Sequence, residues 1–98
     1  MLEVEFSEYA YAEIKDTVEY YNLQQAGLGI VFQQELKNAV DRVIKFPTLY
    51  TISTGNIRKC ILHKFPYMFF YIHSDTIILI LSVAHQHRKP FYWVSNEK

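Results

Sequence analysis

The chain has 98 residues, half of them apolar, with ten basic and ten acidic side chains and a formal net charge of zero. A chain of this length can form one compact domain without disulfides or metals to staple it. Its single cysteine excludes an internal disulfide and a cysteine-based zinc site, and favours a reducing cytoplasm. No apolar run approaches the ~20 residues of a membrane span, and the acidic start is unlike a signal peptide. We therefore expect a cytoplasmic protein, and zero net charge argues against a general nucleic-acid binder.

The charges are unevenly distributed along the chain. Residues 1–50 carry four basic and eight acidic side chains, a net charge of −4. Residues 51–98 carry six basic and two acidic side chains, a net charge of +4, together with all four histidines. If each half forms its own layer, one face would present positive potential to phosphate or to an acidic protein segment. A chance division of charge explains the pattern equally well, so both interpretations stay open.

The first half of the chain predicts one strand and two helices. Residues 2–6 alternate apolar and acidic side chains, as in a strand with one buried face. Ser7 is placed to cap a first helix, which ends near Gly27. A second helix runs from about Leu28 to the Phe46-Pro47 step, because the residue before a proline resists the α region. The short connection makes the two helices a hairpin.

Each predicted helix has an apolar stripe at intervals of three and four residues, the side that packs on a core. The stripes are Ala10, Ile14, Val18 and Tyr21 in the first helix, and Leu28, Val31, Phe32, Leu36, Ala39, Val40, Val43 and Ile44 in the second. The acidic residues between the stripe positions of the first helix, Glu13, Asp16 and Glu19, are expected to face solvent.

The second half of the chain predicts β structure. A polar connection over residues 48–56 precedes three strands, at Ile57–Lys64, Tyr67–His73 and Thr76–Ala84. Their short connections predict an antiparallel meander. The order β-α-α-β-β-β therefore predicts an α+β fold, with the helical hairpin on one face of a twisted, mostly antiparallel sheet in a single domain of residues 1–98. A chain this short cannot fully cover the other face, so we expect apolar surface there for a partner.

Side chains capable of chemistry are concentrated after the last predicted strand, where His85, His87, Arg88, Tyr92 and Trp93 follow closely. Histidine transfers protons near neutral pH, arginine stabilises phosphate charge, and tyrosine can stack on a base. These residue types suffice for RNA cleavage by attack of a 2′-hydroxyl. From residue types alone a solvated basic rim is favoured, because short clusters of His and basic residues are common at domain edges and no spacing here is diagnostic. We expect no cofactor, and no metal because no carboxylate stands at ligand spacing near these histidines.

Three further features have plain structural interpretations. Cys60 lies inside a predicted strand and is expected to be a small buried hydrophobe and not a nucleophile. Arg58 and Lys59 are consecutive in that strand and point to opposite faces, so only one can join a single basic cleft. The strand aromatics are expected to build the core, with base stacking as the alternative.

Short fragments of the sequence, in order and spacing, resemble the RelE/ParE superfamily of small bacterial toxins from type II toxin–antitoxin systems. The fragments are Ser7 to Tyr21, Gly27-Leu28-Gly29 with Phe32, Phe46-Pro47, Ile57-Arg58-Lys59, Lys64-Phe65-Pro66-Tyr67, Phe70-Tyr71, Val83-Ala84-His85, Arg88-Lys89-Pro90 and Tyr92-Trp93. The resemblance covers nearly the whole chain and fits the predicted fold. It implies a toxin that is neutralised in a hetero-oligomer by a cognate antitoxin, whose extended and helical segments wrap the sheet and the helices.

The resemblance also implies two kinds of target. RelE-like members cleave mRNA in the ribosome, whereas ParE-like members act on DNA gyrase. Zero net charge and the Arg-Lys-Pro-Phe-Tyr-Trp ending, similar to ParE-like and plasmid-stabilisation proteins, favour gyrase and a protein that is not an enzyme. A toxin-fold binding protein without toxicity is a further alternative.

Site residues follow from each kind of target. For target binding, the candidates are Arg88 and Trp93, residue types that often carry interface energy, and Tyr92, which is expected to be only partly covered. For RNA cleavage, Arg58 and Lys64 would hold phosphate, and His85 or His87 would act as general base or acid. Arg88 would then stabilise the transition state, and Tyr92 would position the base.

Overall fold

A computed structural model gives the fold and describes residues 2–86 of the chain. Two helices and five strands follow one another along these residues in the order β-α-α-β-β-β-β. The elements are β1 (Glu3–Phe6), α1 (Glu8–Gln24), α2 (Leu28–Lys45), β2 (Ile52–Thr54), β3 (Ile57–Ile61), β4 (Tyr67–His73) and β5 (Ile77–His85). Neither helix of this part of the chain is long and apolar enough to cross a membrane.

The strands form one mixed sheet in the order β1-β5-β4-β3-β2. β1 pairs with β5 in parallel, whereas β3, β4 and β5 form the predicted antiparallel meander. β2 is not predicted by the sequence pattern, since its residues lie within the stretch expected to be a polar connection. β2 has only three residues, too few to show an alternating pattern, and it forms because Ile52 and Thr54 pair with β3 across an irregular register.

The helix ends lie where the sequence places them. The Ser7 hydroxyl accepts a hydrogen bond from the Ala10 N–H at 3.0 Å and donates to the Leu81 carbonyl of β5 at 2.9 Å, so this cap also ties α1 to the sheet. Gly27, with φ of +86°, takes the left-handed conformation that begins α2. The two helices approach each other closely at Gly29, where an added Cβ would lie 2.3 Å from the Val18 carbonyl oxygen.

The core lies between the helical hairpin and one face of the sheet. The predicted stripe of α1 is confirmed, since Ala10 is buried and its other members pack on the core. The stripe of α2 is confirmed except for Val31, which is exposed. Phe32 points into the core, and consecutive helix residues point in different directions, so the Val31 side chain lies outside the core. Cys60 is buried as expected, and burial raises the pKa of its thiol to about 11, partly offset by Arg42.

The opposite face of the sheet is less open than expected. Met68 and Phe70 point to this face and are buried, with Ile57 and Leu81 packed against them. Ile61 on the same face is exposed. The expectation of exposed apolar surface is therefore wrong for Phe70 and holds for Ile61.

Candidate functional site

Three of the predicted site residues fall within the described part of the chain. His85 is the last residue of β5, Lys64 lies in the loop between β3 and β4, and Arg58 is the second residue of β3. His87, Arg88, Tyr92 and Trp93 lie outside the described residues, so their proposed roles stay predictions.

The His85 side chain lies on the face of the sheet that carries the helices. His85 pairs with Tyr67 across β4 and β5, and the two ring centroids are 5.3 Å apart in an edge-to-face arrangement. Tyr67 in turn contacts Phe32 of α2, with centroids 5.4 Å apart. Beyond His85, the Gln86 N–H donates to the Pro66 carbonyl at 2.8 Å. The strand end is thereby joined to the loop that carries Lys64.

An aromatic cluster packs against this end of the sheet on the face that carries the helices. Tyr21 of α1 lies 4.9 Å from Phe65 and 5.7 Å from Phe32 between ring centroids. Burial raises the pKa of the Tyr21 phenol, and the neighbouring Tyr67 and Tyr20 raise it further. These contacts support the interpretation of the aromatics as core, because the rings meet each other in the interior.

Glu13 holds the part of β5 that extends beyond β1. The parallel pairing ends where Phe6 meets Ile80, which leaves the next residues of β5 without a strand on that side among the described residues. One carboxylate oxygen of Glu13 accepts hydrogen bonds from the Val83 N–H and from the Ser82 hydroxyl, each at 2.9 Å. Glu13 thus takes the place of a missing strand partner.

The expectation that Glu13 faces solvent is therefore wrong, and a helical spacing explains why. Ala10 and Thr17, both buried, stand three residues before and four residues after Glu13, so the three share one side of α1. That spacing was the available signal. Asp16 and Glu19 are exposed, as expected.

A second helix carboxylate holds the loop that carries Lys64. Glu35 of α2 is only 8% exposed, and its carboxylate accepts a hydrogen bond from the His63 N–H at 3.2 Å. Lys64 itself is exposed beside this anchor. Lys64 and His85 are thus held at the same end of the sheet, by the bond from the His63 N–H to the Glu35 carboxylate and the bond from the Gln86 N–H to the Pro66 carbonyl.

Arg58 lies elsewhere and is bound to the loop after α2. Its guanidinium donates to the Thr48 carbonyl at 3.1 Å and to the Tyr50 carbonyl at 2.7 Å. Arg58 pairs with Tyr71, four residues along β4 from Tyr67, a separation of about 13 Å. The structure therefore does not bring Arg58 together with His85 and Lys64. Lys59 pairs with Phe70 of the other face, which confirms that the two cations diverge.

Tyr71 fastens the same loop. Its hydroxyl donates to the Pro47 carbonyl at 2.8 Å, and its side chain is fully buried. Burial raises the pKa of Tyr71 to about 12, and the nearby Arg58 partly offsets that effect.

An apolar groove of about 470 Å³ lies between β1 and the two helices. Lys37 and Asp41 form an ion pair at its rim, with 3.1 Å between the charged atoms. Its apolar lining is Val4, Phe6, Tyr11, Ile14, Leu36, Val40 and Ile44. No group of His, Cys, Asp and Glu suited to a metal ion occurs among residues 2–86.

The fold is similar to those of several solved toxins and toxin–antitoxin systems. The chromosomal ParDE toxin–antitoxin system from P. aeruginosa matches with a TM-score of 0.68 and 14% identity, over 87% of this chain and 96% of that one. The intact E. coli RelBE toxin–antitoxin complex matches with a TM-score of 0.68 and 19% identity, over 90% and 100%. The isolated E. coli RelE toxin gives the same score and identity over 99% and 97%. No curated protein matches the sequence.

Two helices on a five-stranded mixed sheet thus define a RelE/ParE-like toxin fold. A family model described as the ParE toxin of the type II toxin–antitoxin system parDE matches residues 4–90, most of the chain. The chain therefore belongs to the ParE toxin family, and the resemblance found in the sequence is confirmed.

Proposed function

We propose that this toxin blocks growth by binding DNA gyrase and is neutralised by a cognate antitoxin. The observation that carries the choice of target is the position of Arg58. Its guanidinium donates hydrogen bonds to two backbone carbonyls of the loop after α2. Arg58 lies about 13 Å along the sheet from the Tyr67–His85 pair. An RNA-cleaving site would need that cation on phosphate, beside the proton-transfer group. The ParE family match supports the same target.

The antitoxin partner is supported by the groove between β1 and the helices. The groove is apolar and open, and exposed apolar surface of this kind marks a binding site. The similar P. aeruginosa and E. coli structures are toxin–antitoxin systems or complexes. We expect the toxin to melt at a higher temperature when co-expressed with its antitoxin, because a partner that binds only the folded state stabilises it. Equal melting temperatures at saturating antitoxin would contradict this.

Ribosome-dependent mRNA cleavage is the second candidate. It is favoured by the placement of Lys64 and His85 at one end of the sheet and by the fold likeness to the isolated RelE toxin. A toxin-fold binding protein without toxicity is the third candidate.

Induced expression separates these candidates. A gyrase-directed toxin should stop growth with a DNA-damage response and filamentation. Rapid loss of translation, with mRNA cut at ribosomal A-site codons, would select the ribonuclease. Unimpaired growth in the absence of antitoxin would select the non-toxic binding protein.

Substitutions in the last strand and the tail test the same choice residue by residue. We expect folded His85→Gln and His87→Gln variants to stay toxic, whereas Arg88→Ala or Trp93→Ala should weaken toxicity because Arg and Trp often dominate interface energy. A folded, antitoxin-binding histidine variant that is harmless would instead indicate RNA cleavage, since a lost general acid or base costs about 10²–10⁴-fold in rate.

A further inference from the structure

The segment between α2 and β2 exposes large apolar side chains. Within residues 46–52, Phe46 is 58% exposed, Leu49 is 73% exposed and Ile52 is 54% exposed. A single exposed apolar residue is ordinary on a protein surface. Three within one short segment form a patch of the kind that marks an interaction site. We call residues 46–52 the apolar loop.

The apolar loop is held in one conformation although its side chains face water. The carbonyls of Pro47, Thr48 and Tyr50 accept hydrogen bonds from Tyr71 and Arg58. Its own backbone adds bonds, from the Leu49 N–H to the Phe46 carbonyl and from the Lys59 N–H to the Thr51 carbonyl. A loop fixed in this way loses little conformational entropy on binding.

The charged side chains that flank the apolar loop in sequence are cations. No Asp or Glu occurs between Asp41 and Asp75. Of the cations in that stretch, Lys45 and Arg58 adjoin the loop, whereas Lys59 lies on the other face of the sheet and Lys64 lies at its His85 end. Lys45, the last residue of α2, is exposed directly before Phe46. The complementary partner surface is therefore acidic as well as apolar.

The apolar loop leads directly into an edge strand. β2 is the last strand of the sheet, and no strand of residues 2–86 pairs with its outer side. An extended polypeptide can add to such an edge through its backbone, while alternate side chains contact the neighbouring surface. This edge is opposite to β1, which lines the groove already described.

We propose that the apolar loop and the outer edge of β2 form a docking surface for an acidic, extended segment of a protein partner. The segment would pair with β2 and place apolar side chains against Leu49 and Ile52. A second copy of the chain related by a two-fold axis is disfavoured, because the pairing would bring like cations together. RNA is disfavoured because only Phe46 of the three exposed side chains offers a ring, and the more exposed Leu49 gives a base nothing to stack on. The proposal goes beyond gyrase binding, since it does not depend on which protein supplies the segment.

Selection from a random twelve-residue peptide library on the full-length chain tests this docking surface. Peptides that also bind the Leu49→Ser variant are depleted during selection. We expect enriched peptides with Asp or Glu among alternating apolar residues. For the best of them, Leu49→Ser should raise the Kd about ten-fold or more, and Lys45→Gln should raise it by a smaller factor that shrinks with added salt.

Matched variants on α1 provide the controls. Leu23→Ser removes a more exposed leucine, at 82%, and Lys15→Gln removes an exposed lysine. Both should leave the Kd unchanged within about two-fold, the range expected for residues outside the contact. Circular dichroism should show that all four variants are folded.

Three results would overturn the proposal. One is the enrichment of basic or neutral peptides, or no enrichment over the Leu49→Ser variant. Another is a Kd for the best peptide that Leu23→Ser raises as much as Leu49→Ser does. The third is tight binding of a twelve-nucleotide oligouridine, or self-association of the chain, that Leu49→Ser abolishes.

Discussion

In two regions of the molecule, side chains form hydrogen bonds with backbone groups that lack a regular partner. The side chains are acceptors in one region and donors in the other. At the His85 end of the sheet, carboxylates on the helices, Glu13 and Glu35, accept hydrogen bonds from N–H groups of β5 and of the loop before β4. At the start of β3, side chains on the strands, Arg58 and Tyr71, donate to carbonyls of the apolar loop. The chemistry differs because one place leaves backbone donors unpaired and the other leaves acceptors.

This difference teaches how a charged residue should be interpreted in a small fold. Glu13 looks like a solvated helix residue and Arg58 looks like a phosphate ligand, yet both satisfy backbone groups where regular pairing stops. Lys64, in contrast, is exposed, and the Glu35 carboxylate binds the backbone of its loop at the His63 N–H. Charged side chains that form hydrogen bonds with otherwise unpaired backbone groups stabilise the fold. Charged side chains that are exposed can instead contact a partner.

Removal of the Glu13 carboxylate should have the largest effect on stability. Glu13→Ala leaves the Val83 N–H and the buried Ser82 without this acceptor, which should cost about 2–4 kcal/mol in free energy of unfolding. Urea denaturation of the antitoxin-free chain measures this. Asp16→Ala, at an exposed position of the same helix, is the control and should change stability by less than about 0.5 kcal/mol. A Glu13→Ala variant as stable as the control would refute the role of Glu13.

Removal of the Arg58 guanidinium should have an intermediate effect. Arg58→Met keeps the apolar stem but releases the Thr48 and Tyr50 carbonyls, at a cost of about 1–3 kcal/mol. Lys59→Met, on the opposite face of the same strand, is the matched control and should be milder. If Arg58→Met abolished toxicity with unchanged stability, Arg58 would instead act on a target.

Tyr71 should show the smallest effect at neutral pH and a distinct one in alkali. Tyr71→Phe loses one hydrogen bond, worth about 1 kcal/mol. The pKa of Tyr71 is raised from 10.0 to about 12, so the folded state keeps its proton where the unfolded state loses it. The wild-type free energy of unfolding should therefore fall between pH 10 and 12, because there the native state binds more protons.

The Tyr71→Phe variant isolates this contribution, since it lacks the titrating group. The fall in unfolding free energy between pH 8 and pH 11 should be smaller in Tyr71→Phe than in wild type. Identical pH profiles for the two proteins would show that Tyr71 does not resist ionisation in the native state.

Most of the fold was predictable because local signals agreed with the tertiary structure. Ser7, Gly27 and Pro47 mark the helix ends, and each acts through its own backbone or side chain within a few residues. β2 was missed because its three residues form a strand only by pairing with β3. Its existence depends on contacts that no local pattern records.

The candidate site was less predictable for the same reason. Residue type marks Arg58, Lys64 and His85 as candidate site residues. Residue type does not show which backbone groups near them lack a hydrogen-bond partner. Glu13 could have been found from its spacing to the buried Ala10 and Thr17. Arg58 could not, because the loop carbonyls it binds are placed by the end of α2 and by β2.

The most direct test of the proposed function is a supercoiling assay with purified DNA gyrase. Wild-type toxin should inhibit supercoiling in a dose-dependent manner, the cognate antitoxin should restore it, and the His85→Gln variant should inhibit as wild type does. Uninhibited gyrase, together with codon-dependent mRNA cleavage by the same preparation on translating ribosomes, would contradict the account.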